Sequence, residues 1–223
     1  MHRTAWYTWV PPRRNARILV PCCAALLLGA LSPAAALPSD VGMEPYRAFV
    51  RTPRAARLLN VARDAMRRHW GESATTRDTT ELRWPAAPLG VFLTLTDGRT
   101  TRACVGSVSP YRGGLVETVR DLALQALQAD RRQQPIRHEE LPRLRVIIAF
   151  AGTGESVADP MDVDPGREGL LISSGKGSIA FLPGEARTVS WALQEARRVG
   201  VLQGPLENVT YYRFPVAVLA EPP

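Results

Sequence analysis

Lysine is nearly missing from this chain: Lys176 stands alone against 27 arginines. Histidine and cysteine are almost as scarce, at three each, His2, His69 and His138 with Cys22, Cys23 and Cys104. So few, and unclustered, they form no recognisable metal-ligand spacing, which argues against a structural zinc. No cofactor motif replaces them, so no cofactor is implied. Long apolar runs are missing too. The segment Ile18 to Leu31 holds fourteen residues, with Pro21 inside it, whereas a membrane-spanning helix needs about 20.

What that segment has is the layout of an export signal. Arg13, Arg14 and Arg17 precede it, and Ala34-Ala35-Ala36 follows with the small residues a signal peptidase reads. Cleavage is expected after Ala36, giving an exported, periplasmic or secreted protein. Arg13-Arg14 resembles a twin-arginine signal, but its flanks fit the general secretory route better. Pro21 before Cys22-Cys23 is not a lipoprotein pattern. Processing would remove four arginines and no acid, lowering the net charge from +7 to +3. The positive excess that could neutralise phosphates thus belongs largely to the signal, and nucleic-acid binding ranks last. Cys104 would be the sole remaining cysteine, leaving no intrachain disulfide.

The rest, 45% hydrophobic over the whole chain, is enough for one core. Residues 37–52, with Pro38 and Pro45, read as an extended lead-in to a single domain over 53–223. Thr52-Pro53 opens a helix in which Leu58, Leu59, Ala62, Met66 and Trp70 recur at helical spacing. Arg54, Arg57, Arg63, Arg67 and Arg68 fall mostly on its other face and are expected in water, a reading preferred to an anion site because arginine is frequent throughout.

After a proline-punctuated connection over 71–88, Val91, Leu93 and Leu95 alternate toward Asp97-Gly98, a hairpin signal, and Arg99 to Val108 returns. A second helix runs from Val116 toward Asp130, and a loop follows from Pro135 to Pro142. Leu144 to Phe150 alternates as a strand. Residues 151–167 read as a long loop, mobile or functional. A hairpin over 170–182 surrounds Gly175-Lys176-Gly177-Ser178, which lacks the Walker spacing. A third helix ends near Gly200, with Trp191 packing it. One last strand, Val209 to Leu219, should have an edge or bulge at Pro215. Hairpin connections dominate, so the expected fold class is α+β, a mainly antiparallel sheet with about three packed helices in one domain. Asn208-Val209-Thr210 is a glycosylation acceptor only in a eukaryotic source.

Three segments in order carry a resemblance: Gly90 to Leu95, then Thr101-Arg102-Ala103-Cys104-Val105-Gly106, then Glu139-Glu140-Leu141-Pro142. Together they resemble the AMMECR domain family, whose hallmark is a strand reading Leu-Arg-Gly-Cys-Ile-Gly. Gly169 to Ser173, Phe181-Leu182-Pro183 and Tyr212-Arg213-Phe214 extend the similarity from about Leu58 to Glu221. Thr101 and Ala103 depart from the motif, Arg131 to Pro135 lacks the usual Arg-Phe-Pro, and Gly184-Glu185 stands where Gln-Val is common. The resemblance implies an α+β fold without an established activity. Some members accompany Memo-like and radical-SAM proteins, which implies a partner role in that chemistry.

Cys104 is the sharpest chemical candidate. As a nucleophile it would have Arg102, two residues away on the strand, to stabilise its thiolate, and His138 or Glu140 as base. The plainer reading is core packing, the usual fate of a strand cysteine between Ala103 and Val105. His138 and His69 are read as solvated unless the fold recruits them. The expected role is a binding or accessory module, with a pocket near the Cys104 strand and Glu139 to Pro142 and an unknown protein or small molecule as partner. The alternative is a small cysteine-dependent hydrolase or transferase.

Overall fold

The computed structural model describes residues 42–73, 89–110, 113–128, 134–203 and 208–222. The expected signal over 1–36, most of the 71–88 connection and the expected helix end at Asp130 lie outside the described residues.

The lead-in expected to be extended carries a helix, α1 (Glu44–Val50). Pro45 sits in its first turn, where a missing N–H costs nothing, and Met43 and Tyr46 bury against the core. α2 (Pro53–His69) follows, its Thr52 hydroxyl accepting from the amide of Ala55 at 3.4 Å. Leu58, Ala62 and Met66 are fully buried on its inner face. Arg63, expected in water, instead lies under the domain's edge. It donates to Glu221 Oε1 at 2.7 Å and to the carbonyls of Leu141 and Leu144. A long arginine stem can lie along apolar surface while its head finds partners, which helical periodicity does not reveal.

β1 (Gly90–Thr96) and β2 (Thr101–Ser107) form the expected hairpin. Asp97 closes its turn, accepting from the amides of Arg99 at 2.8 Å and Thr100 at 2.7 Å, with Gly98 at φ +88°. α3 (Leu115–Ala126) packs on α2, β1 and β2. Within the expected loop, His138–Arg143 forms a 3-10 turn leading into β3 (Arg145–Ala151).

Among the described residues the strands build two antiparallel sheets rather than one. With β4 (Glu155–Val157), β5 (Gly169–Ser174), β6 (Gly177–Phe181), β7 (Thr210–Phe214) and β8 (Val216–Ala220), the first sheet has the order β2-β1-β3-β8 and the second β4-β7-β5-β6. The segment 151–167 is therefore more than a loop, since it contains β4. The final strand is also two: β7 (Thr210–Phe214) lies inside the second sheet, and β8 (Val216–Ala220) edges the first. Pro215 is the crossing point. It lacks a donor, so the ladder breaks there and the chain changes sheets.

Helices α1 to α3 cover one face of the first sheet, and α4 (Val189–Arg198) covers one face of the second. Between the sheets Phe92, Ala149 and Ala151 meet Leu171, Leu182 and Phe214, with the rings of Phe92 and Phe214 stacked at 6.2 Å. The result is one α+β domain in four layers: helix, sheet, sheet, helix. Trp191 packs edge-on against Phe181 at 5.8 Å but stays 42% exposed.

Candidate functional site

Alternation along the hairpin separates the motif residues. Ala103 and Val105 join the helix-side core, whereas Cys104 faces the layer between the sheets, half-buried beside Phe92, Ala149 and Phe214. Opposite it in register stands buried Thr94, whose hydroxyl donates to Cys104 Sγ at 3.3 Å. Gly106 lies beside Phe92, and a Cβ there would meet Val91 O at 2.3 Å, so this motif glycine serves close strand contact.

Register breaks at Leu95/Thr96, leaving Arg102 in the bulge, so two-residue alternation does not carry from Cys104 to Arg102. The Arg102 guanidinium reaches the 3-10 turn, where Nε and Nη2 both lie 2.9 Å from Glu140 Oε2. Glu140 Oε1 accepts from the Arg137 amide at 3.0 Å. That amide first, and then the Arg102 side chain, hold the Glu140 carboxyl below the ordinary glutamate range against the opposing effect of burial. His138 turns elsewhere: its ring stacks on Trp70 at 4.9 Å, and Nε2 lies 2.5 Å from Glu72 Oε1. Of the four predicted site residues the fold thus joins Arg102 with Glu140. Glu139 and His69 are exposed. Among the described residues, no group of three or more His, Cys, Asp or Glu is placed to hold a metal ion.

A cleft of about 300 Å³ opens at the seam of the two sheets. Its walls are the start of β1 at Leu89 and Gly90, the chain just beyond β2 at Val108 to Pro110, and Ala151 to Gly154 beyond β3. Leu171, Tyr212 and Phe214 supply the second-sheet wall. The cleft adjoins the Cys104 layer but not Glu139 to Pro142. Gly90 pairs with Ala151 and Thr96 with Arg145, so that turn lies at the opposite end of β1 and β3, about 20 Å away at the rise of a strand.

Sequence reasoning passed over Gly152, Thr153, Gly154 and Tyr212 as site residues. The signal for them was the glycine-rich stretch after β3, read as a possible functional loop, but only sheet packing brings Tyr212 and Phe214 against it.

The model of the AMMECR1 family matches residues 59–218. This chain belongs to the AMMECR1 family. This AMMECR1-family chain is 30% identical to a protein of Aeropyrum pernix over 181 residues, 74% of this chain and 77% of that protein. It is also 30% identical to a protein of Thermotoga maritima over 133 residues, 57% of this chain and 75% of that protein. An uncharacterised protein of Pyrococcus horikoshii shares the fold, with a TM-score of 0.55 at 23% identity, covering 73% of this chain and 88% of that one. α1 precedes the family match yet packs into the AMMECR1 core through Met43 and Tyr46. Tyr46 hydrogen-bonds the backbone of Leu89 on the cleft wall, and burial raises its phenol above the ordinary range. No helix among the described residues is long and apolar enough to cross a membrane.

Proposed function

We propose that this AMMECR1-family protein is exported and works as a binding or accessory module, seating a small molecule or a partner's side chain in the cleft between its sheets. The observation that carries the reading is the cleft itself, walled by both sheets where two strands cross between them. Export rests on the arginines and apolar run that precede Ala34-Ala35-Ala36.

The competing reading makes Cys104 the nucleophile of a small hydrolase or transferase. Against it stand the commitments of its helpers. Arg102 is paired with Glu140, Glu140 is held in its charged form as a weak base, and His138 lies on Glu72 and Trp70. The deciding measurement is the rate of Cys104 alkylation by iodoacetamide across pH in the processed protein. The binding reading expects slow labelling, rising only toward the ordinary thiol value of about 8.5 or on denaturation. Rapid labelling with a midpoint well below that value would replace it with the enzyme reading.

A further inference from the structure

α1 stands wholly before the residues that the AMMECR1 model matches, 59–218, yet its first turn supports the cleft from behind at two points. One is Gly152, a wall residue. An added Cβ there would lie 2.8 Å from both Met43 Sδ and Pro215 Cγ, so both side chains abut its α-carbon. Pro215 directly follows Phe214 of the second-sheet wall. Met43, fully buried, thus sits where the two walls are joined, and its unbranched thioether suits so irregular a gap. The other point is Leu89, whose backbone bonds the Tyr46 hydroxyl. Gly90 pairs with Ala151, so Leu89 and Gly152 are neighbours at the ends of β1 and β3. Behind that pair Phe150 is clasped by Tyr46 at 5.1 Å and Phe49 at 6.2 Å.

The wall that α1 supports is made of backbone that needs support. Gly152 and Gly154 flank Thr153, and glycine restrains the main chain least; Thr153 and Gly154 are exposed. A wall that must be ordered when a ligand arrives weakens binding, whereas one held in advance does not. We infer that Met43 and Tyr46 are positioning residues of the cleft, through which α1 holds the Gly152 and Leu89 walls in shape, so that the working unit begins at α1 rather than with the family-matched residues. This rests on the reading of the cleft as the binding site and names what keeps that site formed.

The test is amide relaxation in the isotope-labelled, processed protein, which reads local order within the folded state. Wild type is expected to show an order parameter near the rigid-backbone value of about 0.85 at Gly152. In Met43→Ala the values at Gly152 and Thr153 should fall, at Gly152 to below about 0.6, while the amides of β5, paired on both sides, stay near about 0.85. Met43→Leu, of similar size, should keep the wild-type values. Plain core packing would lower the melting temperature of Met43→Ala and leave the order parameters of Gly152 and Thr153 unmoved; that result, or an equal fall throughout β5, would overturn the positioning role. Should Met43→Ala fail to fold, Tyr46→Phe keeps the ring on Phe150 and removes only the hydroxyl. Its Leu89 amide should then lose order, and an unchanged Leu89 would overturn the inference. Cys104 alkylation decides the binding reading separately, so either can fail alone.

Discussion

The amide of Gly152 donates to the carbonyl of Pro215 at 2.9 Å, joining the two places where the chain passes from one sheet to the other. A Cβ on Gly152 would lie 2.8 Å from both Met43 Sδ and Pro215 Cγ. Gly152→Ala is therefore expected to cost about 1–3 kcal/mol through overpacking. Gly154→Ala, with ordinary contacts only, should stay within about 0.5 kcal/mol of wild type. Urea unfolding of both variants checks this, and equal losses would show that crowding at the crossing is not the cause.

Arg63 fastens the carboxyl-terminal end to the helix layer. Its side chain and that of Glu221 are 17% and 19% exposed, and Glu221 Oε2 also accepts from the Val146 amide at 2.7 Å. Truncation would strand a partly buried carboxylate and two carbonyls, so Arg63→Ala should destabilise by about 2–4 kcal/mol. Arg54→Ala, at an exposed position on the same helix, should change stability by less than about 0.5 kcal/mol. Thermal melts of the pair would expose the difference, and matching melting temperatures would return Arg63 to the solvated face.

Glu140 sets an acid-side dependence. Its folded carboxyl sits below the ordinary value of 4.5, chiefly through the Arg137 amide and then Arg102. A depressed folded value means that its contribution is present above the unfolded value and is lost as pH falls through the folded one. The stability advantage of wild type over Glu140→Gln should thus hold at neutral pH and shrink on acidification below about 4.5. Denaturant titrations at several pH values read this directly, and an advantage that grew toward acid would contradict the assignment.

Export has its own readout. Expressed with its native amino terminus, the protein should be recovered outside the cytoplasm with Leu37 as its first residue, as found by terminal sequencing of the fractionated product. An intact amino terminus in the cytoplasmic fraction would remove export from the proposal.

Much of the candidate site was legible as residue types, and little of it as geometry. Cys104, Arg102 and Glu140 stood out as chemically able groups, and Arg102 does meet Glu140. That His138 would instead stack on Trp70 depends on how the 3-10 turn sits beside the end of α2, which no local pattern encodes. The cleft was harder to read. Its walls come from residues more than a hundred positions apart, such as Leu89 and Tyr212, and most are small or apolar groups that attract no attention singly.

The local elements were readable from residue order alone: α2 with its Thr52 cap, the Asp97-Gly98 hairpin, β3, the β5–β6 hairpin and α4. Each follows from apolar periodicity and turn chemistry within a few residues, which act before any distant contact forms. Long-range packing settled that the described strands form two sheets, that the last strand divides at Pro215, and that Arg63 leaves solvent for Glu221, 158 residues away. Periodicity reports which face of an element is apolar but not what will cover it; that choice belongs to long-range pairing and packing between elements.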